Sequence, residues 1–390
     1  MLLKFLLVFT FSIVVIKLLR PLAVCMDLLD KPDARKHHHG NVPLVGGIVI
    51  YLCVVVAGAV FGKTGYEYLS WCLGAGILTL VGALDDRLSL RKRYRILAEI
   101  SAGLLMVFGA GIVILDLGNL LGLGNIYLPM ALGMVFTVVA VIGVINAINM
   151  SDGIDGLAAS LCLLSICSFL ILIGQSGSVI IPIIPVVGAL TAFLLCNLQV
   201  APGIRKIFLG DAGSMMLGYT LVWLLVRFSQ EETHISQQFA PVTALFVLGL
   251  PLMDMVSTVS RRAFEGKNPF IPDRSHFHHL LQDIGLNSRQ TLMTVLFFAS
   301  GINAIGLLCH FFAVQQWIQL MIFLLCFIGY CQFSRVLSRR SSEKSDIIVN
   351  PVGASDTAMT DSAQKRYVQL SSKSTDATVI KEPSARQDAA

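Results

Sequence analysis

Long apolar runs recur along this sequence of 390 residues and constrain its fold more than any other feature. Eleven runs can be marked, near residues 2–19, 44–62, 69–84, 96–113, 131–148, 157–174, 179–196, 214–228, 241–259, 291–313 and 317–334. Most approach the ~20 residues that an α-helix needs to cross ~30 Å of hydrocarbon. They are continuously apolar rather than alternating with a period of two, which favours helices over the strands of a barrel. The sequence therefore predicts an all-α, polytopic integral membrane protein with about 11 transmembrane helices.

The composition agrees with a membrane protein. Only 14% of the residues are charged and 55% are hydrophobic, whereas a soluble domain has roughly 25% charged residues. The nine cysteines are scattered, mostly inside apolar runs, and no CxxC pair occurs. This pattern is typical of cysteines that pack in a core, and it indicates neither a disulfide framework nor a thiolate metal site.

The basic residues predict how the chain is oriented in the membrane. The first apolar run resembles a signal peptide, but Lys17 and Arg20 follow its core and no small-x-small cleavage site is present, so we interpret it as a retained span. Alternate loops hold most of the basic residues, namely those at 20–43, 85–95, 149–156, 197–213 and 260–290. The positive-inside rule then predicts a periplasmic N-terminus and a cytoplasmic C-terminus.

The composition changes near residue 338. Residues 338–390 are polar, rich in serine and nearly without aromatic side chains. Such a segment cannot bury enough apolar surface to offset the entropy lost on ordering. We therefore predict a membrane domain at 1–337, followed by a disordered cytoplasmic tail at 338–390.

The ionisable residues collect in the loops that we predict to be cytoplasmic. These loops hold the carboxylate pairs and six of the eight histidines, whereas Glu99, Asp116 and Asp254 lie near the ends of apolar runs. A transporter of lipid-linked or nucleotide sugars would be expected to keep ionisable residues near the bilayer midplane. A purely structural scaffold would have no reason to concentrate Asp, Asn and His in loops. The distribution favours an enzyme whose chemistry lies at the membrane surface.

Three of these loops carry closely spaced carboxylates. LDDRLSLRKRYR contains Asp85 and Asp86, NAINMSDGIDGLA contains Asn149, Asp152 and Asp155, and GIRKIFLGDAGS contains Asp211. If the fifth helix continued through the second of these loops, its Asn and Asp residues at a spacing of three would share one face. Each group has a structural alternative, because an aspartate can cap a helix or join a solvated charge cluster.

Two further loops combine cations with histidines. LDKPDARKHHHGNVPLVGG contains Lys36 and His38, and RRAFEGKNPFIPDRSHFHHLL contains Arg262, Asp273, His276, His278 and His279. The first loop also suits lipid headgroups or, less well without cysteines nearby, zinc. Arginine and lysine suit phosphate oxygens, and carboxylate-rich sites favour Mg²⁺ or Mn²⁺ over softer metals. Together the loops indicate metal-dependent phosphoryl chemistry.

These motifs resemble one family. KPDARKHHHGNVPLVGG, GALDDR, NAINMSDGIDGLA, FLGDAGS, PLMDM and PDRSHFHHLL occur in the order found in the polyprenyl-phosphate N-acetylhexosamine-1-phosphate transferases, over about residues 20 to 335. The resemblance implies transfer of GlcNAc-1-phosphate from UDP-GlcNAc to undecaprenyl phosphate with Mg²⁺ or Mn²⁺, giving GlcNAc-diphospho-undecaprenol and UMP. It further implies the initiating step of O-antigen lipopolysaccharide and enterobacterial common antigen synthesis. Use of UDP-MurNAc-pentapeptide, as in peptidoglycan synthesis, is the alternative within the family.

The resemblance also implies roles for residues. The catalytic set is Asp85, Asp86, Asp152, Asp155 and Asp211; the metal ligands are Asp211, Asn149, Asp152 and Asp86; and substrate is bound by His38, Lys36, Arg262, Asp273, His276, His278 and His279. Asp85 matches a base or a partner of the lipid phosphate, or else both adjacent aspartates only orient metal or phosphate. Many members have a third aspartate where this chain has Ser89, so that carboxylate is either dispensable or replaced elsewhere.

The resemblance places the protein in the bacterial inner membrane with its active site on the cytoplasmic side. The expected partners are UDP-GlcNAc, undecaprenyl phosphate and the lipid bilayer, with no nucleic acid. A homodimer is an open alternative to a monomer.

Overall fold

The computed structural model describes residues 2–30, 40–61, 65–174, 183–201, 203–230, 237–264, 266 and 276–349, the last nine by their backbone alone. Helices account for every predicted apolar run. They are α1 Leu2–Cys25, α2 Gly46–Val60, α3 Tyr66–Leu88, α4 Lys92–Leu104, α5 Met130–Met150, α6 Leu157–Ile173, α7 Ile183–Asn197, α8 Gly210–Ser229, α9 Pro241–Val247, α10 Gly249–Phe264, α11 Phe277–Asp283, α12 Ser288–Phe311 and α13 Gln316–Val349. A π-helical turn, Leu105–Gly109, extends α4.

The prediction of an all-α membrane protein is confirmed, but the number of spans is not. Within the described residues, six helices are long and apolar enough to cross a bilayer, namely α1, α3, α5, α8, α12 and α13. A seventh is obtained if α9 and α10, which meet at an angle of 82°, form one broken span. Helices α2, α6 and α7 are apolar but shorter. The count of about 11 spans and the orientation of the termini therefore stay predictions.

Short extended segments join the loops, although the sequence predicts no strands. β1, Leu29–Asp30, pairs antiparallel with β2, Val42–Pro43, with Leu29 opposite Pro43. The chain after β2 then binds the segment that leads into α8. Phe208 donates its amide to the Pro43 carbonyl at 2.9 Å, and Gly47 donates to the Leu209 carbonyl at 3.0 Å. These backbone bonds fasten the first loop to the start of α8.

Helix α8 lies at the centre of the helix packing. It contacts chiefly α3 and α5, and also α2, α6 and α9. Almost all of its side chains are buried, including the cation Arg227 near its C-terminus. That guanidinium forms an ion pair with Glu67, at the start of α3, with 3.1 Å between Nη2 and Oε1. A buried charge is costly without a partner, so this pair lets α8 remain enclosed.

Glycines allow two helices to approach the start of α8 closely. A Cβ on Gly47 of α2 would collide with the backbone of Gly213, and a Cβ on Gly82 of α3 would collide with the backbone of Ala212. Both neighbours lie in the first turn of α8, beside Asp211. Small residues are a common means of close approach between membrane helices. The position of Asp211 is therefore set partly by these two contacts.

We expect Gly82→Ala to lower both activity and thermal stability, because the added methyl group must push the backbone of α8 away. The cost of overpacking is typically about 1–3 kcal/mol. Gly143→Ala on α5 is the matched control, since a Cβ there meets nothing within 4 Å and alanine has the higher helix propensity. Unfolding midpoints and turnover measured in detergent would test this, and equal behaviour of the two variants would contradict it.

Contacts divide the chain into a compact unit at Met1–Ser341 and a second unit at Ser342–Ala390. Helix α13 continues to Val349, past residue 338, where the composition changes. Residues 350–390 lie outside the described residues, so the predicted disordered tail stays a prediction.

Candidate active site

Four helices bring polar side chains together around Arg95. The Nη1 atom of Arg95, on α4, lies 3.0 Å from Asp85 Oδ2 of α3 and 3.2 Å from Asp211 Oδ2 of α8. Its Nη2 atom donates to Asn149 Oδ1 of α5 at 2.8 Å. A planar guanidinium can donate to several oxygens at once, which makes arginine suited to this position. We call Asp85, Arg95, Asn149 and Asp211 the Arg95 cluster.

Asn149 orders the cluster from the other side. Its Nδ2 donates to Asp211 Oδ1 at 2.6 Å and to Ser214 Oγ at 2.8 Å. Because the amide nitrogen is used in this way, Oδ1 faces the guanidinium of Arg95. Asp211 thus accepts hydrogen bonds on both carboxylate oxygens, and its orientation is fixed.

Asp86 holds the beginning of α8. Its Oδ1 accepts from the Asp211 amide at 2.9 Å, and its Oδ2 lies 3.4 Å from the Ala212 amide. A carboxylate at a helix N-terminus is stabilised by these free amides and by the helix dipole. Gly210 has a positive φ of 71°, and a Cβ there would collide with the Asp86 carboxylate. Asp86 and Gly210 therefore form a close contact that connects the end of α3 to the start of α8.

Asp85 is directed by the turn that ends α3. Its Oδ1 accepts from the Leu90 amide at 2.6 Å, while its Oδ2 binds Arg95. Ser89 closes the helix with φ 50°, a left-handed conformation that lets the chain turn back. The side chain of Asp85 is 8% exposed. Ser89 thus has a backbone role at the end of α3.

The loop between α5 and α6 separates the Asn and Asp residues that are spaced by three. Helix α5 ends at Met150, so the shared helical face considered from the spacing does not extend to Asp152 and Asp155. Only Asn149 joins the Arg95 cluster, whereas Asn146 donates to Glu99 at 2.8 Å. Asp155 forms an ion pair of 2.6 Å with Lys206. The helix ends early because Ser151–Gly156 turns the chain, with Gly156 at φ 74°.

Asp152 lies two residues after the end of α5, near three other carboxylates. Its pKa is raised, first because surrounding protein displaces water from it, and then because Asp211, Asp86 and Asp155 are negatively charged. Since Asp152 is also exposed, the three like charges are the firmer of these causes. They indicate a local excess of negative charge beside the Arg95 cluster, which attracts cations.

One histidine of the fifth loop contacts the loop between α5 and α6. His278 of α11 packs against Gly153, where a Cβ would collide with its imidazole. His276 lies just before α11, with its Nδ1 3.0 Å from Asp254 Oδ2. His276, His278 and Arg262 are buried. Of the other predicted substrate-binding residues, Lys36, His38 and Asp273 lie outside the described residues.

The oxygen atoms of the Arg95 cluster fit a hard cation, but they do not form a complete cage. In the described part of the chain, no group of three or more His, Cys, Asp or Glu side chains could hold a metal ion. The cluster offers two carboxylates, Asp85 and Asp211, and the amide oxygen of Asn149. Mg²⁺ commonly binds one or two carboxylates and completes its shell with substrate phosphates and water. The donor set fits this kind of site.

Arg95 is the member of the cluster that the sequence does not single out. In the sequence it is one of several basic residues of LDDRLSLRKRYR, and the charge pattern explains all of them as determinants of topology. Its spacing of ten from Asp85 spans a helix end, a turn and a new helix, so no periodicity links the two residues.

Comparison with known proteins agrees with the motifs. The model for "Glycosyl transferase family 4" matches residues 68–229, a range that includes the whole Arg95 cluster. A Yersinia pestis protein named "Undecaprenyl-phosphate alpha-N-acetylglucosaminyl 1-phosphate transferase" is 34% identical over 356 residues, which are 87% of this chain and 96% of the relative. Proteins of the same name from Escherichia coli (strain K12) and Haemophilus influenzae are 35% and 36% identical, over 83% and 80% of this chain and 89% and 88% of their own lengths. The resemblance seen in the motifs is thereby confirmed, and the chain belongs to glycosyl transferase family 4.

Proposed function

We propose that this protein transfers GlcNAc-1-phosphate from UDP-GlcNAc to undecaprenyl phosphate, giving GlcNAc-diphospho-undecaprenol and UMP. The Arg95 cluster carries the proposal, because four helices of a largely apolar chain bring two carboxylates, an amide and a cation together at one place. The relatives, each 34–36% identical, are named for this activity. We place the reaction at the cytoplasmic face of the bacterial inner membrane, on the strength of the distribution of basic loops.

In this proposal, an oxygen of the lipid phosphate attacks the β-phosphorus of UDP-GlcNAc. The bond between that phosphorus and the bridging oxygen breaks, and UMP leaves with the bridging oxygen. A phosphate monoester has its second pKa near ~6 and is mostly ionised at pH 7, so the nucleophile needs no strong base. What the protein must supply is alignment of two anions and compensation of their charge.

Mg²⁺ or Mn²⁺ would be held by Asp85, Asn149 and Asp211 and would neutralise charge on the diphosphate. Arg95 donates to the same three side chains and holds their oxygens close together. Both oxygens of Asp86 face amides of α8, so Asp86 also positions the start of that helix. Both oxygens of Asp85 also accept hydrogen bonds, which favours orientation over proton transfer.

The remaining predicted residues fall into two groups around the cluster. Asp152 and Asp155, in the loop after α5, are proposed to line the nucleotide side of the site, with Asp152 a further candidate ligand. Arg262, His276, His278 and His279 are proposed to bind the substrate phosphates and sugar. The contact of His278 with Gly153 supports this arrangement, because it brings the two groups together. The product would serve as the first lipid-linked sugar of O-antigen and enterobacterial common antigen.

The direct test is release of UMP by the purified protein in detergent. With undecaprenyl phosphate, UDP-GlcNAc and Mg²⁺ we expect turnover, which EDTA abolishes and excess Mg²⁺ or Mn²⁺ restores, because the protein alone does not complete a metal shell. UDP-MurNAc-pentapeptide under the same conditions should release little UMP. Turnover that resists EDTA would contradict the metal assignment, and preference for the pentapeptide substrate would contradict the choice of sugar.

A further inference from the structure

A buried carboxylate outside the Arg95 cluster has no part in the proposed reaction. Asp254, on α10, is 6% exposed and has three close donors. His276 Nδ1 lies 3.0 Å from its Oδ2, while its Oδ1 accepts from the Phe277 amide at 3.1 Å and from the Tyr330 hydroxyl at 2.7 Å. Burial of a carboxylate is costly unless hydrogen bonds compensate it, so this set of contacts calls for an explanation.

The contacts of Asp254 fix the orientation of His276. An ionised carboxylate only accepts hydrogen bonds, so His276 must donate through Nδ1–H. A carboxylate placed in this way selects the tautomer and the ring plane of its histidine. The ring of His276 lies parallel to that of His278, with a centroid separation of 6.1 Å and an angle of 5° between the planes. The ring centroids of His278 and His279 are 4.1 Å apart. Fixing the first ring therefore restrains all three.

Tyr330, on α13, contacts both Asp254 and α11 through different parts of its side chain. Its hydroxyl binds Asp254, and its ring meets the ring of Phe277 edge to face at 5.6 Å. Phe277 also packs against Phe298 and Phe333. Since the ring alone makes the packing contact, the hydroxyl can be removed without opening the aromatic cluster.

The restrained histidines meet the candidate active site at one point. His278 packs against Gly153, between Asp152 and Asp155 in the sequence. Connected contacts thus lead from Tyr330 through Asp254 and the histidines to the loop between α5 and α6. No part of this path depends on a residue of the Arg95 cluster.

We propose that Asp254 and Tyr330 are a positioning pair, which holds His276 and His278 in the orientation that binds the diphosphate of the nucleotide sugar. This inference rests on the proposed function. Neither residue of the pair contacts the Arg95 cluster, so both act through the histidines. The pair makes substrate affinity depend on the packing of α10 against α13, two helices late in the chain.

Tyr330→Phe tests the pair, because it removes one hydroxyl and keeps the ring. We expect KM for UDP-GlcNAc to rise about 10-fold, as for loss of one hydrogen bond to a charged group, with kcat within about 3-fold of the wild type. The control is Cys331→Ala, which removes a different contact between α13 and α10, the 3.7 Å approach of Sγ to Ser257 Oγ. Unchanged KM in Tyr330→Phe, or an equal rise in the control, would overturn the proposal.

A second measurement separates positioning from general stability. In a His276→Ala background, which removes the histidine that Asp254 contacts, Tyr330→Phe should change KM less than about 2-fold, since residues that act through one another are not additive. Additive effects would refute action through the histidines. Failure of the proposed function has a different signature, because the wild-type protein itself would then release no UMP from UDP-GlcNAc.

Discussion

Asp211→Asn is expected to lower kcat by about 10²- to 10³-fold, the range found when a preorganised electrostatic contact is removed from an active site. Both oxygens of Asp211 accept hydrogen bonds, one from Arg95 and one from Asn149. An amide in this place must turn its own NH₂ group toward one of these donors. The substitution thus removes a negative charge and also breaks the alignment of the cluster.

Asp116→Asn is a matched control for this substitution. Asp116 likewise accepts on both oxygens, from the Gly118 amide at 2.7 Å and from Asn125 Nδ2 at 2.9 Å. Its backbone binds Gln230, which follows the C-terminus of α8, whereas Asp211 lies at the N-terminus of that helix. Kinetics of UMP release and thermal unfolding should be measured for both variants. Comparable losses of turnover would show that Asp211 has no special role.

Arg95→Lys is expected to lower kcat/KM about 10- to 100-fold although the charge is kept. Arg95 contacts three side chains through two nitrogens. Lysine carries a single ammonium group on a flexible stem and lacks the planar fork, so the exchange is not conservative at such a site. Arg95→Ala should be more damaging, because the largely buried Asp85 would lose its cation.

Arg93→Lys, on the same helix, is the control for Arg95→Lys. Arg93 is exposed and its nearby contact is with the hydroxyl of the adjacent Tyr94 at 3.1 Å. We expect this variant to keep turnover within about 2-fold of the wild type, as for most surface substitutions. If Arg95→Lys were as active as Arg93→Lys across a range of Mg²⁺ concentrations, the guanidinium could not be the organising group of the site.

The apolar runs were sufficient to predict the helices, because hydrocarbon allows few other ways to satisfy the backbone. Their number does not give the number of spans. α9 and α10 come from one predicted segment but meet at 82°. Gly249 and Pro251 follow the break at Leu248, and a proline cannot donate to the carbonyl four residues earlier, that of Val247; such a signal indicates a bend but not its angle. The helical part of the run at 96–113 ends near Gly109, and residues 111–115 have no regular secondary structure.

The candidate site was likewise predictable only in part. Asp85, Asn149 and Asp211 were identified from the sequence by their unusual places beside membrane helices, and the fold brings these three together. Arg95 was not singled out, because its partners are distant in sequence and basic residues are common in that loop. The contact between Asp254 and Tyr330 could not be predicted from the sequence either, because it depends on how α10 and α13 pack. Long-range contacts of this kind leave no local pattern in the chain.

The enclosure of α8 has a consequence for how the protein is made. Its hydropathy, 1.2, is the lowest among the candidate spans, against 2.4 for α1 and α5, so lipid alone is a poor solvent for it. Its main neighbours, α2, α3, α5 and α6, are all synthesised before it, as is Glu67, the counter-ion of Arg227. Because of this order of elements, the main helices that surround α8, the least hydrophobic candidate span, have already been synthesised when α8 leaves the ribosome.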